Sequence, residues 1–219
     1  LKSVIGKQEL ASYVKDQLNM FFPDNRVLQE SDLLKYLDDV MDRIYYCFKH
    51  IRRPYYNIND NVQFNHLHSD HYAMFLYIYS NTVWQIDKDE NLASKLFLLN
   101  KALHGLDAFY SIELPEIFLF IHPLGTVLGK AHYGNYFAVY QNCTVGATED
   151  NHYPTFSEET LLYSRSSVIG DCIIGKNVVF AANSILINTH VDHDKLIVGS
   201  YPCNKILDNH KNVIDRIFK

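Results

Sequence analysis

Two different periods divide the chain. In the first half, apolar positions recur at helical spacing. Val4, Ile5, Leu10, Tyr13, Val14 and Leu18 line one side of a helix drawn from Ser3 to Phe22, and Pro23-Asp24-Asn25 ends it by turn chemistry. Ser31 and Asp32 are capping residues for a second helix running to about His50, with Leu33, Leu34, Leu37, Val40, Met41 and Ile44 as its stripe. Pro54 and the polar stretch from Asn57 to Asn65 read as a loop. A third helix, capped by Ser69 or Asp70, runs to Trp84; a fourth runs from about Glu90 to His104, with Gly105 as its stop.

From Ile121 onward the beat changes to six. Ile121, Val127, Tyr133, Val139 and Val145 keep it; after a break it resumes at Leu162, Val168, Ile174, Phe180 and Leu186. A period of six is neither 3.6 nor 2 and is the signature of a parallel β-helix. Each hexad supplies one short strand with its apolar residue inward, three hexads close one triangular coil, and stacked coils share one core. Corners between strands need small or φ-tolerant residues, which accounts for Gly170, Gly175 and Asn177. The interruption from Gly146 to Glu159 is polar and reads as a loop leaving the coil, carrying Asp150, His152 and Pro154. A short helix is expected from Leu207 onward.

Composition changes this picture mainly by exclusion. The chain has 219 residues, 20 Lys and Arg against 25 Asp and Glu, and a net charge of -5, so it offers no electrostatic footprint for nucleic acid. No apolar run is long enough to span a membrane, and the first residues do not read as a signal peptide. Cys47, Cys143, Cys172 and Cys203 are far apart and form no CxxC. A disulfide framework and a structural zinc site are therefore not expected, and the cytoplasm is the expected compartment.

Of eleven histidines, most have bland readings. His66, His68 and His71 surround Asp70 at a helix start, where polar residues cap; no metal is expected there. His190 falls on an inward beat and reads as a hydrogen-bonded core residue, and His132 reads as a solvated corner residue. His122 is different. It opens His122-Pro-Leu-Gly-Thr-Val-Leu-Gly129 beside the first inward residue, so its imidazole should project from a rigid coil, where a group titrating near neutrality serves as a general base.

These residues resemble the serine acetyltransferase family. His122 to Gly129 is similar to its His-x-x-Gly-x-Val-x-Gly stretch. Val139-Tyr-Gln-Asn-Cys-Thr-Val-Gly-Ala147 is similar to the Gln-x-x-Thr stretch that follows, and Gly105-Leu106-Asp107 is similar to its Gly-Ile-Asp entry to the coils. The resemblance implies an α+β chain: a helical domain over 1–106, a left-handed parallel β-helix of hexapeptide repeats with an extended loop over 107–206, and a tail with a short helix over 207–219. It implies homotrimers, often paired through the helical domains, with acetyl-CoA as co-substrate in the groove between subunits. His122 would be the general base, Asp107 would orient it as the third member of a triad does, and His152 would reach the neighbouring subunit's site. Gly146, Ala147, Ser164 and Ala182 would line the cofactor groove, with Lys176 as a phosphate contact.

The pattern also departs from that family. His152 stands one residue away from its place before the proline, the arginine before it is Asn151, and the aspartate that precedes the family's base is Ile121. Those changes remove groups that grip an amino acid, so O-acetylation of L-serine is set beside acetylation of a sugar or nucleotide-sugar hydroxyl or amine, and beside an inactive oligomeric scaffold. A metal hydratase on the same coil would need three converging histidines, and no close histidine pair lies within the repeats.

Overall fold

The structure is a computed structural model and describes residues 1–59 and 61–219. After a short strand β1 (Lys2–Ser3), helix α1 spans Lys7–Phe21 and α2 spans Glu30–Lys49. Gln29, rather than Ser31 or Asp32, caps α2. The Asp32 N–H donates to the Gln29 backbone carbonyl at 3.1 Å, while the Asp32 carboxylate accepts from the Gln29 N–H at 2.8 Å and closes the first turn. The stretch expected to be a loop after Pro54 carries β2 (Asn57–Ile58) and β3 (Asn61–Phe64), with β3 also pairing with β1. Val62 and Phe64 are buried. Alternation over so few residues is a weak signal amid asparagines, which is why composition hid this strand.

Helix α3 (Ser69–Asp87) is the centre of the helical domain. Every residue from Asp70 to Val83 is buried, because the helix is enclosed by α2, α4 (Glu90–His104) and the first coil. Asp89 caps α4 through a bond from the Leu92 N–H, and Gly105 closes it in the left-handed region at φ 62°.

The second half is a parallel β-solenoid of three sheets. One holds β4 (Asp107–Ala108), β6 (Val127–Leu128), β9 (Thr144–Gly146), β12 (Ser167–Ile169) and β15 (Ile185–Ile187). A second holds β5 (Phe118–Phe120), β8 (Phe137–Val139), β11 (Thr160–Leu162), β14 (Val178–Phe180), β16 (Lys195–Val198) and β17 (Lys205–Asp208), the last running antiparallel. A third holds β7 (His132–Tyr133), β10 (Thr155–Phe156) and β13 (Ile173–Ile174). The chain visits the sheets in rotation, so equivalent residues stack. Phe120, Val139, Leu162 and Phe180 form one inward column; Leu128, Val145, Val168 and Leu186 form another; Tyr133, Phe156 and Ile174 form the third. All are buried, and complete burial of each large side chain contributes about 1.5–3 kcal/mol.

The six-residue beat therefore holds from Tyr133 onward, while its first two positions are corrected. Phe120 and Leu128 point inward in place of Ile121 and Val127, and Val127 is exposed. Eight positions separate Phe120 from Leu128, against six between Val139 and Val145, so the first coil carries two extra residues at this corner. The expected loop is shorter than the polar stretch suggested, because Phe156 returns to the core in β10. His190 is exposed rather than core, with Nε2 3.9 Å from Asp171. The helix expected from Leu207 is α5 (Val213–Ile217), which begins after β17.

The corners explain the left-handed residues. Tyr136, Glu159, Asn177 and Asp194 occupy equivalent places at one corner, and Asn142, Arg165 and Asn183 at another, all at positive φ. The buried Asn177 amide donates to Asp194 and Asn212, and its oxygen accepts from Val213 N–H, anchoring the C-terminal segment on the coil. The two domains are joined by Cys47 Sγ to Phe118 O at 3.1 Å, Tyr77 Oη to Ile112 O at 2.6 Å and Asn81 Nδ2 to Tyr110 O at 2.9 Å. Among the described residues, no helix is long and apolar enough to cross a membrane.

Candidate active site

The two extra residues of the first coil produce the corner on which His122 stands. Ile121 on one side and Pro123 on the other are buried, which clamps the backbone between them. His122 itself adopts φ 49°, and Gly125 a second positive φ of 72°. A left-handed non-glycine residue is costly and persists only where its surroundings impose it. Here the constraint is visible: Leu124 N–H donates to His122 O at 2.7 Å, Thr126 N–H donates to Pro123 O at 3.0 Å, and Gly125 N–H donates to Gly105 O at 3.0 Å. The outcome is an imidazole 73% exposed on a rigid backbone.

The carboxylate beside it comes from the helical domain. Asp70, in the first turn of α3, accepts the His122 backbone N–H on Oδ1 at 3.0 Å, and the same oxygen lies 3.8 Å from the imidazole Nδ1. Asp70 is 6% exposed. Asp107, to which the family resemblance gives the orienting role, lies on β4 with its carboxylate held by Lys101 Nζ at 2.7 Å. Among the described residues, Asp70 supplies the carboxylate within 4 Å of the His122 ring. Sequence reasoning treated Asp70 as a helix cap. The actual N-cap is His68, and nothing local could have revealed a contact made across 52 positions.

His152 is exposed on the excursion between β9 and β10. Eleven positions separate Val145 from Phe156, against six between Val168 and Ile174. The excursion is a tight turn: Asn151 N–H donates to Thr148 O at 3.0 Å, and Thr148 N–H donates to His152 O at 3.3 Å, with Asn151 at φ 60°. It leaves a different corner of the prism from the one that carries His122.

The residues expected to hold the cofactor are spread over three corners. Ser164 and Ala182 stand on the same corner as His122, on successive coils, joined by Asn183 N–H to Ser164 O at 3.0 Å. Gly146 and the exposed Ala147 stand at the corner of the excursion. Lys176 stands at the third, where Nζ is 2.9 Å from the buried Glu159 and 3.8 Å from Glu158; these carboxylates raise its pKa, the bond from Glu159 most. A single chain thus brings together His122, Ser164 and Ala182 along one edge and leaves His152, Gly146 and Ala147 on another.

His68 and His71 pack together in the helical domain. His71 Nδ1 accepts from Asn65 N–H at 3.2 Å, and its ring stacks on His68 with centroids 4.3 Å apart. Among the described residues, no group of three or more His, Cys, Asp or Glu side chains has a metal-binding arrangement.

Comparison with known proteins agrees with this architecture. No family model matches the chain. The serine acetyltransferase of Synechococcus elongatus is 29% identical over 105 residues, covering 46% of this chain and 43% of that protein. That of Bacillus pumilus is 22% identical over 126 residues, covering 56% and 57%. The chain thus spans about half the length of the curated relatives it matches. The crystal structure of the Brucella abortus serine acetyltransferase in complex with coenzyme A superimposes with a TM-score of 0.68 at 14% identity, covering 94% of this chain and 84% of that one. The chain is similar to serine acetyltransferases in sequence over about half its length and in fold over nearly all of it.

Proposed function

We propose that this chain is an acetyl-CoA-dependent O-acetyltransferase, with L-serine as the first acceptor to consider. The observation that supports this reading most is the His122 imidazole, exposed on a corner of the coil, locked by a left-handed backbone and held at its N–H by the buried Asp70. In this reading Asp70 takes the part that the family resemblance gives to Asp107. Its carboxylate faces Nδ1, which fixes the tautomer and stabilises the imidazolium, and leaves Nε2 as the base.

The chemistry then balances on one imidazole. His122 accepts the proton of the acceptor hydroxyl as that oxygen attacks the thioester carbonyl carbon of acetyl-CoA. The tetrahedral intermediate collapses with cleavage of the C–S bond, and the imidazolium returns its proton to the departing CoA thiolate. The products are an O-acetyl ester and free CoA, and His122 ends as it began.

A site containing His152 needs a second copy. The excursion and the His122 corner lie on different edges of a three-sided prism, so a homotrimer that sets one edge of each copy against a different edge of its neighbour unites them. The same arrangement brings Gly146 and Ala147 of one copy towards Ser164 and Ala182 of the next, forming a groove for the pantetheine arm, with Lys176 as a more distant phosphate contact. Pairing of trimers would use the helical domain, where Met20, Phe21 and Val27 are exposed. We place the enzyme in the cytoplasm, in keeping with its four unpaired cysteines.

Ile121 supports a second reading of the acceptor. It is apolar and 7% exposed where the family carries an aspartate that contacts serine, so a sugar or nucleotide-sugar hydroxyl or amine is the alternative substrate. Thiol release from acetyl-CoA, with product mass determined for L-serine and then for nucleotide sugars, tests both. An acetylated serine supports the first reading, an acetylated sugar the second, and no acceptor-dependent thiol release removes the enzymatic reading.

A further inference from the structure

Arg43, on α2, stands out because, among the described residues, no carboxylate pairs with it. Its Nη1 donates to Thr82 Oγ1 at 2.6 Å and Ile78 O at 3.4 Å, and its Nη2 donates to Asn81 Oδ1 at 2.9 Å. All three acceptors are neutral groups of α3, and among the described residues Nε–H has no acceptor and no carboxylate lies within 4 Å of the guanidinium. Burial pushes its pKa down. A guanidinium carries five N–H donors in a fixed fork, so this one retains capacity on the edge that includes Nε.

That side chain lines a cavity of about 440 Å³ between α2, α3 and the segment leading into β5. Asp42, Glu113 and Glu116 line the same space, together with Gln85 and Tyr46. The remaining walls are apolar: Ile78, Leu114, Pro115 and Phe118. The three acids are exposed side chains that share the cavity with Arg43 but do not pair with it. A simple anion would meet three carboxylates, and a simple cation would meet the guanidinium. The complementary ligand carries one carboxylate for Arg43, one ammonium for the acidic side and a small apolar body between the walls.

We propose that this cavity binds an α-amino acid with an apolar side chain, at a place separate from the His122 corner. The site is defined by side chains of the helical domain and residues 113–118, and needs neither acetyl-CoA nor the catalytic base. It therefore stands whether or not the acetyltransferase reading holds.

Isothermal titration of the full chain without acetyl-CoA tests this, using L-norleucine and its two halves, hexanoate and pentylamine. L-norleucine should bind saturably, and each half should bind at least tenfold more weakly. Arg43→Gln should weaken L-norleucine at least tenfold. Because Arg43 also ties α2 to α3, Glu113→Gln/Glu116→Gln, two exposed changes outside that contact, provides the independent variant and should also weaken L-norleucine at least tenfold. His122→Ala should leave the affinity within twofold, which separates this cavity from the proposed active site. Absence of saturable binding, hexanoate binding as tightly as the amino acid, loss of binding in His122→Ala, or undiminished binding in the double variant would each overturn the proposal.

Discussion

Asp70 Oδ1 accepts the backbone N–H of His122 at 3.0 Å and lies 3.8 Å from its Nδ1, joining the first turn of a helix to a corner of the coil. One buried carboxylate thus holds a left-handed main chain and faces the imidazole that this main chain carries. Asp70→Asn keeps an acceptor for the backbone bond and removes the charge facing the ring. The carboxylate lies 3.8 Å from Nδ1 of a largely exposed ring, a contact that contributes about 1 kcal/mol or less after solvent screening, so kcat should fall about threefold to fivefold, with the melting temperature little changed. Asp107→Asn, which breaks an ion pair with the half-exposed Lys101, should cost less. Steady-state kinetics of both variants checks the order, and a larger loss for Asp107→Asn would return the orienting role to that residue.

Removal of the proposed base is the sharper test of the chemistry. His122→Ala should lower kcat by about two to four powers of ten, the usual contribution of a general base. The side chain is exposed and makes no packing contact in the core, so folding and CoA affinity should be retained. Rates from thiol release and CoA affinity from calorimetry separate the two effects; a variant that loses CoA binding in proportion to rate would mark His122 as a binding residue.

Much of the coil was legible because each inward position is read independently by its burial. From Tyr133 to Leu186 every position that the beat named is an inward residue that stacks. It failed at Ile121 and Val127, where two extra residues bulge the corner, and an apolar neighbour of each true core residue masked the slip. It also failed within the polar stretch, where Phe156 is the single returning core residue. The site was legible in part. His122 was visible through its surrounding glycines and proline, which report local backbone geometry. Asp70 was not, because its contact is tertiary and its position also satisfies the ordinary rule for a helix start.

Acid stability should depend on His71. Burial and the neighbouring His68, in that order, push its pKa down from 6.5 to about 3, so the folded state keeps it neutral where the unfolded chain protonates it. His104, lowered by burial to about 4, acts in the same direction. For a depressed histidine the unfolded state binds more protons, so stability falls as pH drops below about 6.5 and keeps falling towards the folded values. The slope is about 1.4 kcal/mol per pH unit for each group in that window. Melting temperatures measured between pH 7 and pH 4 should decline, and His71→Gln should flatten the decline. An unchanged slope in that variant would assign the acid sensitivity to other groups.

Gly175 tests the stacking of the coils. A Cβ there would lie 2.7 Å from the Asp192 carbonyl carbon and 2.7 Å from the His193 nitrogen, both backbone atoms of the next coil that cannot rotate away. Gly175→Ala should therefore destabilise by about 1–3 kcal/mol, as overpacking of a tight interior does. The expected result is a lower urea midpoint, and an unchanged midpoint would mean that the coils can slide apart at this corner.

The proposed sharing of the active site between copies has its own signature. His122 stands on one edge of the prism and His152 on the excursion from another, so a variant lacking either histidine should be impaired in every active site of its own trimer. Mixing His122→Ala and His152→Ala chains, unfolding them and refolding them together creates interfaces that receive an intact His122 from one chain and an intact His152 from its neighbour. Random assembly of equal amounts makes such interfaces about a quarter of the total in a closed ring. Activity should recover towards about a quarter of the unsubstituted level, with light scattering showing trimers or their multiples. If His152→Ala alone is fully active, His152 has no part in the chemistry. If both single variants are impaired and the mixture recovers nothing, each active site is built within one chain.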